Sequence, residues 1–317
     1  MKIGLAADLG GTNLRMAAIE INGNVCHRLK IETPKAERAE EIVRVIVESA
    51  QMCRDAVKEK GKISGFGLAV AGTVNPLNGV ISNAPNVPCL EGFPLPDILS
   101  RELDLPVILE NDANAAAVGE NWLGASKDFQ NSICVTLGTG VGGGIIIDGK
   151  VLRGADGTAA EIGHICVEPF GAPCGCGSLG CVEQYSSAQA IVRLTRELES
   201  QYPKSDLTEK YNLTALEIYE AGKDGDELAL EVFRRQGFYL GIALADLINI
   251  LNPDVIVMGG GAAAGWDLFM PHARAQIRLR AYRQPAERVK LVTAACGDDA
   301  GILGAAKLVF ENAAANV

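Results

Sequence analysis

A pattern of strand, glycine-rich loop, strand and hairpin turn occurs twice in this chain, and it constrains the fold more than any other feature. The first copy contains the loop at 8–13 and ends at Asn22-Gly23. The second copy contains the loop at 138–144 and ends at Asp148-Gly149. Such dipeptides favour hairpin turns, because both central residues of a two-residue type I′ turn need positive φ. We therefore predict two β-β-β units related by an internal repeat.

The segments outside the two copies alternate between helical and strand patterns. Apolar residues recur at helical spacing over 37–60, and short apolar runs at 65–70 and 106–109 are typical of buried strands. We expect 73–96 to form a long irregular loop. The chain has 317 residues, 48% of them hydrophobic, which is enough for an α/β protein of two domains. Later in the chain the sequence predicts a strand at 255–258 and helices at 113–122, 187–201, 226–251 and 301–312.

Four potential metal ligands fall within eighteen positions: His164, Cys174, Cys176 and Cys181. Glycines between the sulfurs let the chain fold back so that three thiolates converge. With the imidazole they complete a tetrahedral zinc shell that has no open position for water, which predicts a structural metal. A disulfide pair or unrelated buried thiols are the alternatives. Glu161 and Glu183 flank the cluster, where they are either held rigidly against a hydroxylated ligand or ordinary exposed charges.

The two glycine-rich loops fit a nucleotide, although neither matches a standard nucleotide-binding motif. Gly138-x-Gly140-x-x-Gly143 has the spacing of the dinucleotide fingerprint, but a hairpin rather than a helix follows it. Loops that each contain a threonine, Thr12 and Thr139, can instead direct backbone N–H groups and hydroxyls at a polyphosphate. The alternative is that the glycines only make tight turns. A third glycine run at 259–261 favours a nucleotide held between two domains.

Charge and composition exclude several classes of function. The formal net charge of −10 argues against a nucleic-acid surface. No stretch of about twenty residues lacks charged or strongly polar groups, so we expect no membrane span. The odd number of cysteines, nine, and the lack of a signal-peptide pattern at the start point to a reducing cytoplasm.

These motifs resemble those of the ROK family of sugar kinases and repressors. The resemblance covers essentially the whole chain and is carried by 8–13, Glu110-Asn111-Asp112, 137–144, Glu161-Ile-Gly-His164 and the cysteine block 174–183. It implies an α/β, duplicated ribonuclease H-like (actin-like ATPase) fold with two lobes, a cleft and an ATP site between them, and zinc on the four ligands above. We expect a small N-terminal lobe at 1–111, with a C-terminal helix at about 300–317 packing back on it, and a large lobe at 112–299 that carries the zinc cluster.

Within that family the chain looks most like the bacterial glucokinases. This resemblance implies transfer of a phosphoryl group from ATP to the 6-hydroxyl of a hexose, with Mg²⁺ and a structural Zn²⁺ as cofactors. Asp112 matches the catalytic base, and one ring nitrogen of His164 would bind zinc while the other donates to the sugar. The sugar contacts match Asn86, Asn111, Asp112, Glu161, His164 and Glu183. The ATP contacts are expected at Asp8, Gly10, Gly11, Thr12, Asn13, Gly138, Thr139, Gly140, Gly142, Gly260 and Gly261.

Several of these residues have ordinary structural alternatives. Asp112 stands where a strand ends and a helix begins, so it could simply be a helix N-cap. Asp8 could be a turn residue or could order waters around Mg²⁺. We expect Asp298 and Asp299 to cap a helix. The segment 87–93 departs from the family's usual sequence, which leaves N-acetylglucosamine, N-acetylmannosamine, mannose or fructose open beside glucose, and polyphosphate open as donor.

A sugar-sensing regulator is the alternative from a different class, since the family includes repressors. Those repressors carry a DNA-binding helix-turn-helix ahead of the kinase-like part, whereas here the first glycine loop already begins at Asp8. We therefore expect an enzyme whose partners are a hexose and ATP, with neither nucleic acid nor membrane. The resemblance also implies a homodimer or homotetramer.

Overall fold

The computed structural model describes residues 1–315 of the chain, which form two compact units. Unit 1 comprises 1–130, 144–160 and the described residues from Ala294 onward. Unit 2 comprises 131–143 and 161–293. The first boundary therefore follows Gln130, whereas the sequence suggested residue 111, because helix α3 (Asp112–Leu123) packs against the C-terminal helix α10 (Ala300–Ala315). The C-terminal helix belongs to unit 1, and the last two residues of its predicted range, 316–317, lie outside the described residues.

Unit 1 is built on a five-stranded sheet with the strand order β3-β2-β1-β4-β7. The strands β1 and β2 are antiparallel, and β4 lies parallel to both β1 and β7. The strand bounds are β1 Lys2–Leu9, β2 Asn13–Glu20, β3 Val25–Glu32, β4 Lys62–Val70 and β7 Val107–Asn111, with a separate two-stranded pair of β5 Thr73–Val74 and β6 Ile81–Ser82.

Helices cover both faces of this sheet. Along β1, Leu5 and Ala7 point to one face, where they pack with α1 (Ala39–Val57) and α2 (Leu95–Leu103). Ala6 points to the other face, where it packs with α3 and α10. Successive strand residues face opposite sides of a sheet, so a strand covered on both faces reads as a continuous apolar run.

A second five-stranded sheet has the order β10-β9-β8-β11-β12. Its strands are β8 Ser132–Leu137, β9 Val141–Ile147, β10 Lys150–Val151, β11 Val255–Gly259 and β12 Lys290–Thr293. The chain passes from unit 2 to unit 1 within β9. Across each sheet, the strands follow the same order when numbered by their position in the chain: third, second, first, fourth and fifth. This shared topology confirms the predicted internal repeat.

The helices of unit 2 follow the second repeat. The longest, α7 (Glu227–Leu251), begins at the predicted position, where Asp226 caps it by accepting the N–H of Ala229 at 2.9 Å. It packs closely on α8, because a Cβ at Gly237 or Gly241 would overlap the α8 backbone. The other helices are α4 Glu183–Ser186, α5 Ala188–Leu198, α6 Ala215–Lys223, α8 Trp266–Arg280 and α9 Arg283–Arg288. No helix in the described part of the chain is long and apolar enough to cross a membrane.

The two predicted hairpin turns differ. Asp148 and Gly149 have φ angles of 50° and 73°, and Ile147 pairs with Lys150, so this two-residue turn is type I′ as predicted. At the first hairpin only Gly23 has positive φ, 91°, and Glu20 N–H donates to Asn24 O at 2.9 Å around a three-residue loop. The two-residue prediction is therefore wrong there, because the β2–β3 register shifts by a bulge beside the turn.

Candidate active site

Asp112 is the first residue of α3, directly after β7, but it is not the helix cap. The cap is Asn111, whose Oδ1 accepts the backbone N–H of Asn114 at 3.0 Å. The N-cap interpretation of Asp112 is therefore wrong. Its carboxylate is not needed to begin the helix, which leaves it available for chemistry.

The surroundings of Asp112 make it a stronger base than an ordinary carboxylate. Its Oδ1 accepts the N–H of Ala113 at 2.9 Å and Nδ2 of Asn111 at 3.1 Å, and neither donor occupies Oδ2. Burial, followed by the nearby negative charge of Asp8, raises the pKa of Asp112 to about 6. The side chain is nevertheless partly exposed. At neutral pH Asp112 is thus ionised, accessible and close to the pKa that suits a general base.

Asn111 holds this arrangement together. Its Nδ2 donates to Asp112 Oδ1 and to the carbonyl oxygen of Gly72, each at 3.1 Å, while its Oδ1 caps α3. Both amide hydrogens are thus used within the protein. A contact between Asn111 and a sugar hydroxyl would have to use the remaining lone pair of Oδ1.

The first glycine loop packs against Asn86, a predicted sugar contact. A Cβ at Gly11 would come within 2.9 Å of the Asn86 side chain, whereas the φ angles of Gly10 and Gly11 lie outside the left-handed region. The loop is closed by Gly10 N–H donating to Asn13 O at 3.0 Å, and Thr33 Oγ1 donates to Gly10 O at 2.7 Å. Tight-turn geometry therefore does not explain Gly11; the close approach of Asn86 does.

Asp8 lies beside an arginine rather than in a simple turn. Its Oδ2 is 3.6 Å from Arg15 Nη1, and Arg15 Nη2 also donates to Asp298 at 2.8 Å. Burial raises the pKa of Asp8 above its ordinary value even though Arg15 opposes the shift. Asp299 pairs with Arg28 at 3.1 Å. Both carboxylates thus form ion pairs with arginines of β2 and β3, and the helix-cap role expected for Asp298 and Asp299 stays a prediction.

In unit 2, the second glycine loop positions Glu183. The Glu183 Oε2 atom accepts the N–H of Val141 at 3.0 Å, and a Cβ at Gly140 would overlap this carboxylate. A Cβ at Gly138 would meet no described atom closer than Gly140 O at 4.0 Å. Neither glycine has a left-handed φ. Gly140 is therefore required by Glu183, while Gly138 borders open space that a ligand could fill.

In the third glycine run, too, one glycine is required by its surroundings and another borders open space. Gly260 has φ 85°, and a Cβ there would overlap the backbone of Leu137, so its requirement is structural. A Cβ at Gly261 would meet no described atom within 4 Å. Gly138 and Gly261, both predicted nucleotide contacts, thus have free space beside them.

The four predicted metal ligands converge in unit 2. Their donor atoms, from His164, Cys174, Cys176 and Cys181, all lie within 4.8 Å of one another. The sulfurs of Cys176 and Cys181 are 3.7 Å apart, and so are Cys174 Sγ and His164 Nδ1. Tetrahedral zinc with Zn–S bonds of about 2.3 Å requires sulfurs about 3.8 Å apart, so the donor set fits Zn²⁺.

The ring of His164 has one nitrogen on the side of the sulfurs and the other on the side of Glu161. With Nδ1 directed at Cys174, the other ring nitrogen, Nε2, lies 4.0 Å from Glu161 Oε2. The side chains of His164 and Glu161 are 38% and 58% exposed, so both are open to a ligand. Within unit 2, Glu161 thus lies near His164, and Glu183, at the start of α4, is hydrogen-bonded to the second glycine loop.

One charged residue of this region has no role in the sequence-based prediction. Glu110 belongs to the quoted triplet before α3, yet only the next two residues of that triplet were assigned functions. Its side chain is 4% exposed and binds Arg153 at 2.7 Å. The sequence signal that could have identified Glu110 is a glutamate near the end of the otherwise apolar strand β7.

Comparisons with known proteins agree with this geometry. A ROK family profile matches residues 4–312. A glucokinase from Halalkalibacterium halodurans is 38% identical over 311 residues, which cover 96% of this chain and 94% of the relative. The crystal structure of a ROK family glucokinase from Streptomyces griseus in complex with glucose and AMPPNP has a TM-score of 0.80 and 34% identity, covering 98% of this chain and 99% of that one. A xylose repressor from Caldicellulosiruptor bescii is 28% identical over 97% of this chain and 78% of its own length.

Proposed function

The chain belongs to the ROK family, and from this premise we propose that it is an ATP-dependent hexose kinase that phosphorylates glucose on the 6-hydroxyl. The observation that carries the proposal is the Asp112 carboxyl. It is accessible, it is not used as a helix cap, and its pKa is raised to about 6. A residue with these properties suits the removal of a hydroxyl proton at neutral pH.

In this mechanism Asp112 accepts the proton of the sugar 6-hydroxyl as that oxygen attacks the γ-phosphorus. The bond from the γ-phosphorus to the bridging oxygen breaks, and ADP leaves with the electron pair. General-base assistance of this kind contributes about 10² to 10⁴ in rate. Asn111 and Ala113 hold Oδ1 through their hydrogen bonds, so Oδ2 is the atom we assign to the proton.

We assign the binding of the other sugar hydroxyls to Asn86, Asn111, Glu161, His164 and Glu183. Zn²⁺ on the three thiolates and Nδ1 of His164 would supply rigidity and leave the ring proton on Nε2, which can then donate to a hydroxyl. Glu161 and Glu183 accept hydrogen bonds, so donors and acceptors alternate as a polyhydroxylated ligand requires. The role of the metal is therefore structural.

Nucleotide binding is assigned to the glycine loops, with Asp8, Thr12 and Asn13 in unit 1 and Gly138 to Gly142 and the 260–261 pair in unit 2. Backbone N–H groups suit phosphate oxygens without a fixed cation. Support comes from the open space beside Gly138 and Gly261. Mg²⁺ would neutralise the phosphate charge in a chain whose net charge is −10.

A sugar-responsive regulator is the second candidate, because a xylose repressor matches 97% of this chain. A regulator needs only to bind its sugar, and the basic, accessible carboxyl of Asp112 has no purpose in that function. We therefore favour the kinase. The proposal also includes a homodimer or homotetramer and a cytoplasmic location, where ATP is available and zinc-binding thiols stay reduced.

A substrate panel tests the proposal. The protein is assayed with ATP and Mg²⁺ against glucose, mannose, fructose, N-acetylglucosamine and N-acetylmannosamine, with coupled detection of ADP. We expect glucose to give the highest kcat/KM, and 6-deoxyglucose, which lacks the acceptor hydroxyl, to bind without reacting. A parallel arm with polyphosphate tests the donor. Glucose binding in calorimetry without ADP release from any sugar would instead support the regulator.

A further inference from the structure

Glu110, which is buried, forms an ion pair with the partly exposed Arg153, and it immediately precedes the candidate active-site residues Asn111 and Asp112 in the chain. Glu110 Oε2 accepts Nε of Arg153 at 2.7 Å, and Arg153 Nη2 lies 2.7 Å from the same oxygen. The Glu110 side chain is 4% exposed and that of Arg153 is 35% exposed. Arg153 comes from the segment after β10 and Glu110 from β7, so the pair joins two distant parts of unit 1.

The other carboxylate oxygen of Glu110 holds the beginning of α3. Oε1 accepts the backbone N–H of Asn111 and Nδ2 of Asn114, each at 3.1 Å. Asn114 in turn donates its backbone N–H to Asn111 Oδ1, and Asn111 Nδ2 donates to Asp112 Oδ1. Glu110 therefore contacts both residues of the cap that orients the Asp112 carboxylate.

Asn114 shows how much this arrangement depends on Glu110. Its side chain is buried, and its Oδ1 has no hydrogen-bond partner among the described residues. The amide of Asn114 is thus oriented by its single bond to Glu110. Without the carboxylate, no other side-chain hydrogen bond in the described structure would fix this amide beside the cap.

A gain in folding stability does not by itself explain this ion pair. Glu110 loses its hydration on burial, and this desolvation cost offsets much of what the ion pair with Arg153 contributes to stability. We propose that Glu110 and Arg153 are positioning residues that fix Asn111 and Asn114 and thereby hold the Asp112 carboxylate in its reactive orientation. This inference rests on the proposed function of Asp112 as the base.

Arg153 also anchors the segment that leads to Glu161. The carbonyl oxygen of Arg153 accepts the N–H of Ala159 at 3.2 Å, which closes the loop just before Ala160. Ala160 has φ 68°, an unusual conformation for alanine that persists only where the surroundings enforce it. The pair thus ties the end of β7 to the residues that immediately precede a proposed sugar contact.

Three variants and a matched control test the proposal. Glu110→Gln keeps the size and one acceptor but removes the charge, Arg153→Lys keeps the charge but removes the guanidinium fork, and Glu110→Gln with Arg153→Met removes the pair. The control is Glu231→Gln in unit 2, since Glu231 is also largely buried, 16% exposed, and binds Arg234 at 2.6 Å and Arg235 at 2.8 Å. For each folded variant we measure kcat, the Kd for glucose by calorimetry, the melting temperature and the pH profile of kcat.

We expect Glu110→Gln and the double variant to lower kcat by about 10- to 100-fold, the size of effect that a misplaced catalytic group produces. Glucose affinity should fall less than kcat, by under about ten-fold, because Asn111 is the one proposed sugar contact that Glu110 fixes directly. The acid limb of the pH profile should shift, since the environment of Asp112 changes. Arg153→Lys should lose several-fold in kcat, and Glu231→Gln should lower only the melting temperature.

A folded Glu110→Gln protein with wild-type kcat and an unshifted acid limb would overturn the inference. If Glu110→Gln does not fold, Arg153→Lys and the double variant decide: wild-type kcat in either one overturns the proposal. Asp112→Asn distinguishes a failure of the positioning role of Glu110 from a failure of the proposed base, Asp112. An inactive Asp112→Asn beside a fully active Glu110→Gln removes the positioning role alone, whereas an active Asp112→Asn removes the proposed base itself.

Discussion

In unit 1, Asp112 lies between a strand and a helix, and backbone and side-chain hydrogen bonds hold it. In unit 2, Glu161 and His164 lie on a segment supported by one short 3₁₀ helix, Ile162–His164, and two isolated β-bridges. Here the segment has little regular secondary structure, and the four converging His and Cys side chains, which fit a zinc ion, would hold it once the metal binds. Burial changes the acidity of Asp112, whereas Glu161 and His164 remain exposed.

The difference matches the roles that we propose for these groups, proton acceptor for Asp112 and sugar contacts for Glu161 and His164. A general base needs a pKa near the working pH, and burial beside a like charge provides it. A group that only binds hydroxyls needs a fixed position and an open face. A metal cluster can fix a loop without a hydrophobic core, and it leaves the outer side of His164 free for a ligand.

The largest effect should come from the unit 1 carboxylate. Asp112→Asn keeps the side-chain size and the acceptor at Oδ1 but cannot take a proton, so kcat should fall by about 10² to 10⁴. Glucose affinity should stay within several-fold. Coupled ADP release gives kcat, and calorimetry gives the Kd. Near wild-type turnover in the folded variant would mean that Asp112 plays no part in proton transfer.

Disrupting the unit 2 cluster should instead weaken sugar binding. Cys176→Ser removes one ligand, and we expect zinc to be lost and glucose affinity to fall by about 10- to 100-fold or more as the segment loses its fixed shape. Elemental analysis should find about one zinc per chain in the wild type. Cys166→Ser is the matched control, because Cys166 is an exposed thiol outside the four ligands. Full activity in zinc-free protein would contradict this role of the cluster.

Two glycines of the same loop should separate nucleotide from sugar. Gly138→Ala places a methyl group in space that we assign to phosphate, so the KM for ATP should rise by about ten-fold with little change for glucose. Gly140→Ala would displace Glu183 and should raise the KM for glucose as well. Steady-state kinetics with each substrate varied in turn distinguishes the two patterns. Equal effects of Gly138→Ala on both substrates would move the nucleotide away from this loop.

Features that depend on local pattern could be predicted from the sequence. The two glycine loops and turns predict the repeat, and the apolar periodicity over 37–60 predicts α1. The convergence of the four candidate metal ligands could be predicted because residue type and spacing define such a donor set. The helix α2 was missed, because Pro94 and Pro96 beside its start are equally typical of a loop.

Features that depend on distant partners could not be predicted. Asn111 and Asp112 are equally good N-caps by residue type, so only the structure shows which one caps α3. The ion pair of Glu110 with Arg153 joins residues 43 positions apart. The ion pairs of Asp298 and Asp299 were unpredictable for the same reason, since their arginine partners lie in β2 and β3 at the other end of the chain.

The smallest expected effect concerns the stability of unit 1. The pKa of Asp112 is about 6 in the folded protein, above the ordinary value of 3.8. The ionised carboxyl therefore destabilises the fold, with the full penalty at pH values above about 6. The penalty shrinks as the pH falls below 6 and disappears only below 3.8, where the group is protonated in both the folded and unfolded states. Asparagine carries no charge to bury. Asp112→Asn should therefore be more stable than the wild type at pH 8.

Because Asp112 is partly exposed, solvent screening should limit the gain to about 1 kcal/mol. Urea unfolding at pH 8 and at pH 4.5 measures it, and the difference between variant and wild type should shrink at the lower pH. Asp97→Asn is the matched control, since Asp97 is an exposed residue in the first turn of α2 and should show no such gain. If Asp112→Asn were less stable at pH 8, the hydrogen bonds from Ala113 and Asn111 would outweigh the burial of the charge. Asp112 would then be a structural group held in its charged form, and it would no longer differ from the unit 2 residues in having its acidity changed by burial.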